Sequence, residues 1–334
     1  MKRVLKGIVR SALIGAVLGG SAAAEQTVPA AVRAADPAAE RVMLGVYDPH
    51  RAFSDARGID IEHIFVFWQA LDLQEFRRSL AYAGRRGRQM MVTVEPYTRA
   101  PDWREGGEHL FSDIVDGGFA GEIRTICGEL GRFPGGVLVR WGHEMEDPDG
   151  RYPWAREDAE GYKAAYRHFV EDCRRHAPRA RFVWSPKGQS NLARYYPGDA
   201  YVDFVGVALW GLQAWDVALH GGSRDFRQTF AEKYRRVEVF GKPVIIAELG
   251  IAGDERYRHR WLADLFDALA DGSAFERLRA VVYFNDKEPY HWPMGLGSPD
   301  WRLPVPLLSG EPGQRRTPAA HGQRMLMAGR MHDR

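Results

Sequence analysis

Short apolar runs recur along the chain with longer stretches of helical period between them. Val42–Tyr47, Ile61–Trp68, Gln89–Glu95, Gly136–Trp141, Arg181–Ser185, Phe204–Trp210, Pro243–Glu248 and Ala280–Asn285 each hold four to eight mostly apolar residues, as a strand buried on both faces requires. Leu73–Gly84, Ala120–Gly131, Asp158–His176, Phe226–Phe240 and Tyr257–Ala270 repeat apolar residues every three or four positions and predict helices. Eight strands in an alternating array, with no Gly-rich phosphate loop after the first, predict an α/β fold. A single closed (β/α)8 TIM barrel fits better than an open doubly wound sheet.

Residues outside the periodic region have other compositions. Residues 1–24 carry Lys2, Arg3, Lys6 and Arg10, then a short apolar stretch from Ala12 to Leu18, then Ser21-Ala22-Ala23-Ala24. This is the pattern of a cleaved export signal, too short to anchor in a membrane, and it predicts a secreted or periplasmic protein. Residues 25–41 read as an Ala/Pro-rich linker, 42–309 as the catalytic barrel and 310–334 as a flexible basic tail.

Charge matters once that segment is set aside. Cleavage after Ala24 removes four positive and no negative charges from 46 basic and 44 acidic residues, and the net moves from +2 to −2. The region from Ser309 holds five Arg against one Glu and one Asp, so the barrel is more acidic still. A nucleic-acid partner is not expected; an uncharged one fits, and the chain is expected to act as a monomer.

The candidate chemistry lies where strands end. Gly136–Gly142 runs into His143-Glu144, and Lys242–Ala247 runs into Glu248-Leu249-Gly250. A carboxylate finishing a buried parallel strand sits on the rim where barrel active sites assemble. Two of them, distant in sequence, suit double-displacement hydrolysis of a glycosidic bond, one protonating the leaving oxygen and the other attacking the sugar. A strand-end Glu can equally cap a helix or complete an ion pair; two in this setting favour chemistry. Tyr47-Asp48, Trp68-Gln69, Glu95-Pro96, Trp184-Ser185, Trp210-Gly211 and Asn285-Asp286 follow other strands, giving a rim rich in rings and carboxylates. Of the ten Trp and thirteen Tyr most should be core, but some suit stacking on sugar rings.

Several segments carry a resemblance. Arg140-Trp141-Gly142-His143-Glu144-Met145 resembles the Arg-x-x-His-Glu-Met signature of glycoside hydrolase family 26, and Tyr152-Pro153-Trp154 the aromatic segment that follows it. Lys242–Gly250 resembles the family's nucleophile strand, with further matches at Glu95-Pro96, Trp184-Ser185-Pro186, Tyr196-Pro197-Gly198-Asp199 and Asp203–Gly206. The likeness spans about residues 43–303. It implies a barrel in which Glu144 is the general acid/base and Glu248 the nucleophile, acting on a β-linked polysaccharide by a retaining mechanism. β-1,4-Mannan is the family's commonest substrate and β-1,3-1,4-glucan the alternative. Trimming of an exopolysaccharide, or a non-catalytic carbohydrate-binding barrel, are further alternatives; the presence of both glutamates counts against the last.

The chemistry sets demands on the neighbours. Glu144 needs an apolar setting to hold its proton, with Trp141 and Met145 close in sequence, and Glu248 needs donors, of which Arg140 is the best placed. His143 orients the sugar or the acid, or else caps. Glu95, Trp154, Trp184, Trp210, Trp292 and Asn285 complete the candidate substrate-binding set, with Trp68, Trp301 and Asp286 as further candidates. Two departures bear on specificity. Trp210 stands where the family places a Tyr, and Glu146–Arg151 replaces a shorter loop, with Arg151 at an aromatic position. Indole beside the nucleophile would crowd an axial 2-hydroxyl, so weak activity on unsubstituted mannan and better activity on a glucan or a native exopolysaccharide is expected. The eleven His form no metal-ligand pattern and no cofactor is expected. Cys127 and Cys173 fall on consecutive helices, either as a disulfide or as two small buried residues.

Overall fold

The computed structural model describes residues 41–99, 109–147 and 152–304. The export signal, the linker up to residue 40, Arg151 and the basic tail lie outside the described residues.

Eight parallel strands close into a barrel in sequence order: β1 (Met43–Tyr47), β2 (Ile61–Phe67), β3 (Gln89–Glu95), β4 (Val137–Trp141), β5 (Arg181–Trp184), β6 (Phe204–Leu212), β7 (Val244–Ala252) and β8 (Leu278–Phe284), with β8 paired to β1. Around them, among the described residues, lie α1 (Leu73–Arg85), α2 (Leu110–Val115), α3 (Ala120–Arg132), α4 (Ala159–His176), α5 (Gln213–His220), α6 (Phe226–Val237) and α7 (Glu255–Asp271). Asp72, Asp158, Asp225 and Asp254 start α1, α4, α6 and α7 by accepting a first-turn backbone N–H, Asp225 in a reciprocal box with Gln228.

The first unit departs from the regular alternation, since no helix joins β1 to β2. The connecting loop is held instead by Arg88. Its Nη2 donates to the Phe53 carbonyl (2.7 Å) and its Nη1 to Glu62 (2.8 Å), both ends buried. Burial pushes the Glu62 carboxyl above its ordinary range despite this partner, which opposes the shift.

Strand parity sorts side chains into two layers. Ile61, Met91, Leu138, Val183, Phe204, Ile245, Ala247, Ala280 and Val282 face inward and fill the barrel, while their alternates pack outward against the helices. At Gly45 a Cβ would lie 2.9 Å from the Ile61 Cβ and 3.0 Å from Val282, so close packing of β1 against β2 and β8 requires glycine there.

Cys127 on α3 and Cys173 on α4 form a disulfide across 46 residues, which decides between the two alternatives the sequence leaves open. The closed loop contains β4 and Glu144.

Candidate active site

The inward layer turns polar as it rises. Two residues beyond Ile61, Met91 and Leu138, the same parity delivers His63, Thr93 and Arg140 into the lumen. Two further, it delivers Phe65 and Glu95. β7 supplies Glu248 only by breaking parity. Its pairing with β6 runs Val207 to Ile246 and then Ala208 to Glu248, one residue being extra. Ile246 and Leu249, three apart, both pack in the outer layer, while Ala247 stays inside. The bulge turns Glu248 inward with Ala247, a role bulges often have beside active sites.

Arg140 meets it there. Its Nη1 donates to Glu248 Oε1 at 2.5 Å and to Thr93 Oγ1 at 3.3 Å, and the guanidinium is fully buried. A fixed cation this close favours the ionised carboxylate.

Glu144 follows β4 through a sharp turn. Gly142 and Glu144 have φ of 53° and 54°, and for the non-glycine residue that conformation costs roughly 1 kcal/mol. The turn is tied across to β5, where the Glu144 N–H donates to the Ser185 carbonyl at 2.8 Å. Its far side is clamped by Glu146, which accepts from the N–H groups of Gly188 (2.8 Å) and Gln189 (3.2 Å). Burial pushes the Glu146 carboxyl up, and those backbone donors oppose it. Asp147, also buried, pairs with Lys187 at 3.1 Å.

His143 is buried between rings, its Nε2 3.1 Å from the Tyr152 hydroxyl and 4.0 Å from Glu95 Oε1. Glu95, Glu144 and Glu248 thus rise on β3, after β4 and on β7 of one rim, each buried with 7 to 8% of its surface exposed.

Rings line much of the rest. Tyr47 packs on Phe284 (4.7 Å between centroids) and edge-on to Phe65 (5.0 Å); Phe284 in turn packs edge-on to Trp210 (5.6 Å). Burial, then the charges of Asp286, Glu248 and Glu95, push the Tyr47 phenol up to about 12. Trp210 is half-buried and rigidly held, tilted on Trp301 (4.9 Å) and edge-on to Trp292 (6.4 Å). At Gly250, paired with Trp210, a Cβ would sit 2.6 Å from the Trp210 ring. Half-buried Trp292 also meets Trp215 of α5 (5.6 Å).

Several expected substrate contacts are corrected. Trp184 is one residue out of phase with inward Val183, fully buried, and packs on Tyr196 and Phe240. Trp154 is equally buried, stacked on Tyr152, and its Nε1 donates to the His143 carbonyl (2.7 Å), so it shapes the turn and offers no face to a sugar. Trp68 and Trp301 are core. Asn285 is consumed structurally, its Nδ2 donating to Asp48 (3.1 Å) and its Oδ1 accepting from the Leu303 N–H (2.9 Å). Trp141 points outward onto Phe169 of α4, because it alternates with inward Arg140. Sequence reasoning missed His63, Thr93, Phe65 and Trp215. For the first three, parity with Ile61 and Met91 was the available signal.

A cavity of about 320 Å³ opens between the β1–β2 loop, β2 and α1, lined by Glu62, Ile64, Val66, Phe76, Ser79 and Tyr82 among others. None of the three rim glutamates lines it. Among the described residues no group of three or more His, Cys, Asp or Glu could hold a metal ion.

Known proteins resemble this chain in sequence and in fold. Endoglucanase H of Acetivibrio thermocellus is 26% identical over 259 residues, covering 72% of this chain and 27% of that protein. A β-1,3-xylanase of a Vibrio species is 28% identical over 113 residues, covering 31% of this chain and 24% of that protein. The chain therefore spans about a quarter of the length of these curated relatives. Among solved structures, the catalytic domain of a Bacillus family 26 endo-β-1,4-mannanase superposes with a TM-score of 0.59 at 15% identity, covering 81% of this chain and 85% of that one. A modular endo-β-1,4-mannanase of Cellulomonas fimi gives 0.58 at 16%, covering 81% and 70%. At such identities the structures speak for the barrel alone. The family model for Glycosyl hydrolase family 26 matches residues 129–230, the stretch that carries β4, Glu144 and Trp210. Over that stretch, which includes the Arg140–Met145 motif, the chain matches glycosyl hydrolase family 26.

Proposed function

We propose that the protein is an exported, monomeric, retaining endo-β-glycanase that cleaves a β-linked polysaccharide with Glu144 as general acid/base and Glu248 as nucleophile. The observation that carries this reading is the pairing of an inward, bulge-directed Glu248 with buried Arg140 on the barrel rim that also bears Glu144. In the first step Glu248 attacks the anomeric carbon while Glu144 gives its proton to the departing glycosidic oxygen. In the second, Glu144 takes a proton from water, which releases the sugar with its original configuration. Glu95 and His143, beside one another on the same rim, are the next candidates to bond sugar hydroxyls.

For the polymer, Trp210 is the residue with most to say. Its indole is packed against Trp301, Trp292 and Phe284 and cannot swing away from the strand that carries Glu248. An axial 2-hydroxyl would meet that bulk and an equatorial one would not, which favours a β-glucan or xylan over mannan. The match to Endoglucanase H over most of this chain supports the same choice. β-1,4-Mannan is the second reading, favoured by the mannanases among the similar structures. Release of reducing ends from β-1,4-mannan, mixed-linkage glucan, β-1,3-xylan and bacterial exopolysaccharides tests both. Higher kcat/KM on glucan or xylan is expected; far higher kcat/KM on mannan overturns the substrate choice, and no release from any β-glycan overturns the activity.

A further inference from the structure

The proposed displacement needs Glu248 aimed as well as ionised, and the structure shows one weak point in how Arg140 does this. An arginine usually fixes a carboxylate by a two-point fork. Here the contact runs through Nη1 alone; Nε and Nη2 are buried and meet no partner among the described residues. A single contact leaves the guanidinium free to rotate about it unless something else holds that nitrogen.

Thr93 does. The second hydrogen of Nη1 goes to its Oγ1 at 3.3 Å. The guanidinium is planar, so the two hydrogens of Nη1 diverge by about 120°, and seating one on Thr93 sets the direction of the other. Thr93 and Arg140 are register partners on β3 and β4, so the seat is built into the strand pairing.

Thr93 is held in turn by His63 of β2, whose Nε2 lies 2.8 Å from Oγ1, both groups buried. Arg140 can only donate, so Oγ1 accepts from it, and the hydroxyl hydrogen is left for His63 Nε2. The opposite tautomer would strand that hydrogen too, in addition to the already unpartnered Nδ1. Burial, with the charge of Arg140 second, holds the His63 imidazole well below its ordinary range, so it stays a neutral acceptor. Phe65 (4.5 Å) and Tyr47 (5.9 Å) wedge its ring in place.

Resting on the reading of Glu248 as nucleophile, we infer that His63 and Thr93 are positioning residues for it. His63 sets the hydroxyl rotor of Thr93, Thr93 seats one edge of Arg140, and Arg140 aims Glu248. Neither His63 nor Thr93 touches substrate.

Thr93→Val tests this, since it keeps the shape and removes the hydroxyl. The assay is hydrolysis of an aryl β-glycoside with a good leaving group, for which attack by the nucleophile is exposed. Loss of aim should lower kcat on the order of 10- to 100-fold with KM nearly unchanged, and move the acid limb of kcat/KM to higher pH. Tyr47 on β1, whose phenol is pushed up by burial and by the charges of Asp286, Glu248 and Glu95, and Glu144 after β4 on the same rim stay in place in this substitution. Thr93→Ser restores the hydroxyl and should recover most of the rate. His63→Met should act in the same sense, and the double variant should be no worse than Thr93→Val, because both act through one chain.

Wild-type kcat and acid limb in Thr93→Val overturn the inference. So do equal losses in Thr93→Ser and Thr93→Val, which assign the effect to packing of β3, and additive losses in the double variant. Glu248→Ala, assayed alongside, separates the two claims: if it keeps wild-type turnover, the nucleophile assignment itself falls, whereas an inactive Glu248→Ala beside an unaffected Thr93→Val removes only the positioning role.

Discussion

Reducing the bridge between Cys127 and Cys173 should destabilise the barrel by a calculable amount without altering its chemistry. The disulfide closes a loop of 46 residues, and the chain-entropy relation for a loop of that size gives about 4 kcal/mol at 25 °C. For a domain of this length, unfolding entropy converts each kcal/mol into about 2 °C, so Tm should fall by about 8 °C. The clean comparison is calorimetry of the wild-type protein with and without a phosphine reductant, since the reduced form keeps both sulfurs and their packing. Because the bridge joins α3 to α4 on the outside of the barrel, kcat/KM of the reduced protein at 25 °C should match that of the oxidised one. A shift below about 2 °C would refute the reasoning. Two free thiols titrating in the denatured, unreduced protein would show that the bridge is absent.

Glu144→Ala should slow natural polysaccharide by orders of magnitude while sparing aryl glycosides with good leaving groups, which need little protonation; equal losses on good and poor leaving groups would remove Glu144 as the acid. Trp210→Tyr should shift the ratio of kcat/KM toward mannan over glucan, and an unchanged ratio would make the residue neutral for specificity. Glu146→Gln bears on pH. Burial raises the folded carboxyl above its ordinary value of 4.5, so the folded state holds a proton that the unfolded state has released. The stability this provides is complete below 4.5 and is lost as pH rises through the raised value. The glutamine keeps the acceptor for Gly188 and Gln189 and removes the titration, so calorimetry from pH 4 upward should show a flatter slope and a higher Tm at pH 7 than wild type. A lower Tm at pH 7 would mean the charge is stabilising.

The barrel was legible because strands buried on both faces read as unbroken apolar runs, and all eight lie within a few residues of the expected positions. The first unit was not, since nothing in residues 48–60 announces a loop held by a distant Arg88. Helices α2 and α5 were too short to establish a period. Within the site, the strand ends already put Glu144 and Glu248 on the rim where the structure has them, yet the bulge that turns Glu248 inward is invisible to a period of two. Trp184 shows the converse: its parity with Val183 already places it outward, and aromatic identity alone gave the wrong side. Asn285 looked free at a strand end because its partners, Asp48 and Leu303, lie far away in sequence and near it.

The measurement closest to the central claim is trapping of the covalent intermediate. An activated 2-deoxy-2-fluoro β-glycoside of the preferred sugar slows both steps, and its good leaving group still lets the first proceed. Peptide mapping by mass spectrometry of the treated protein should find one sugar per chain, attached to Glu248, with activity lost in proportion. Attachment to Glu95 or Glu144, or hydrolysis with inversion and no labelled peptide, would contradict the account.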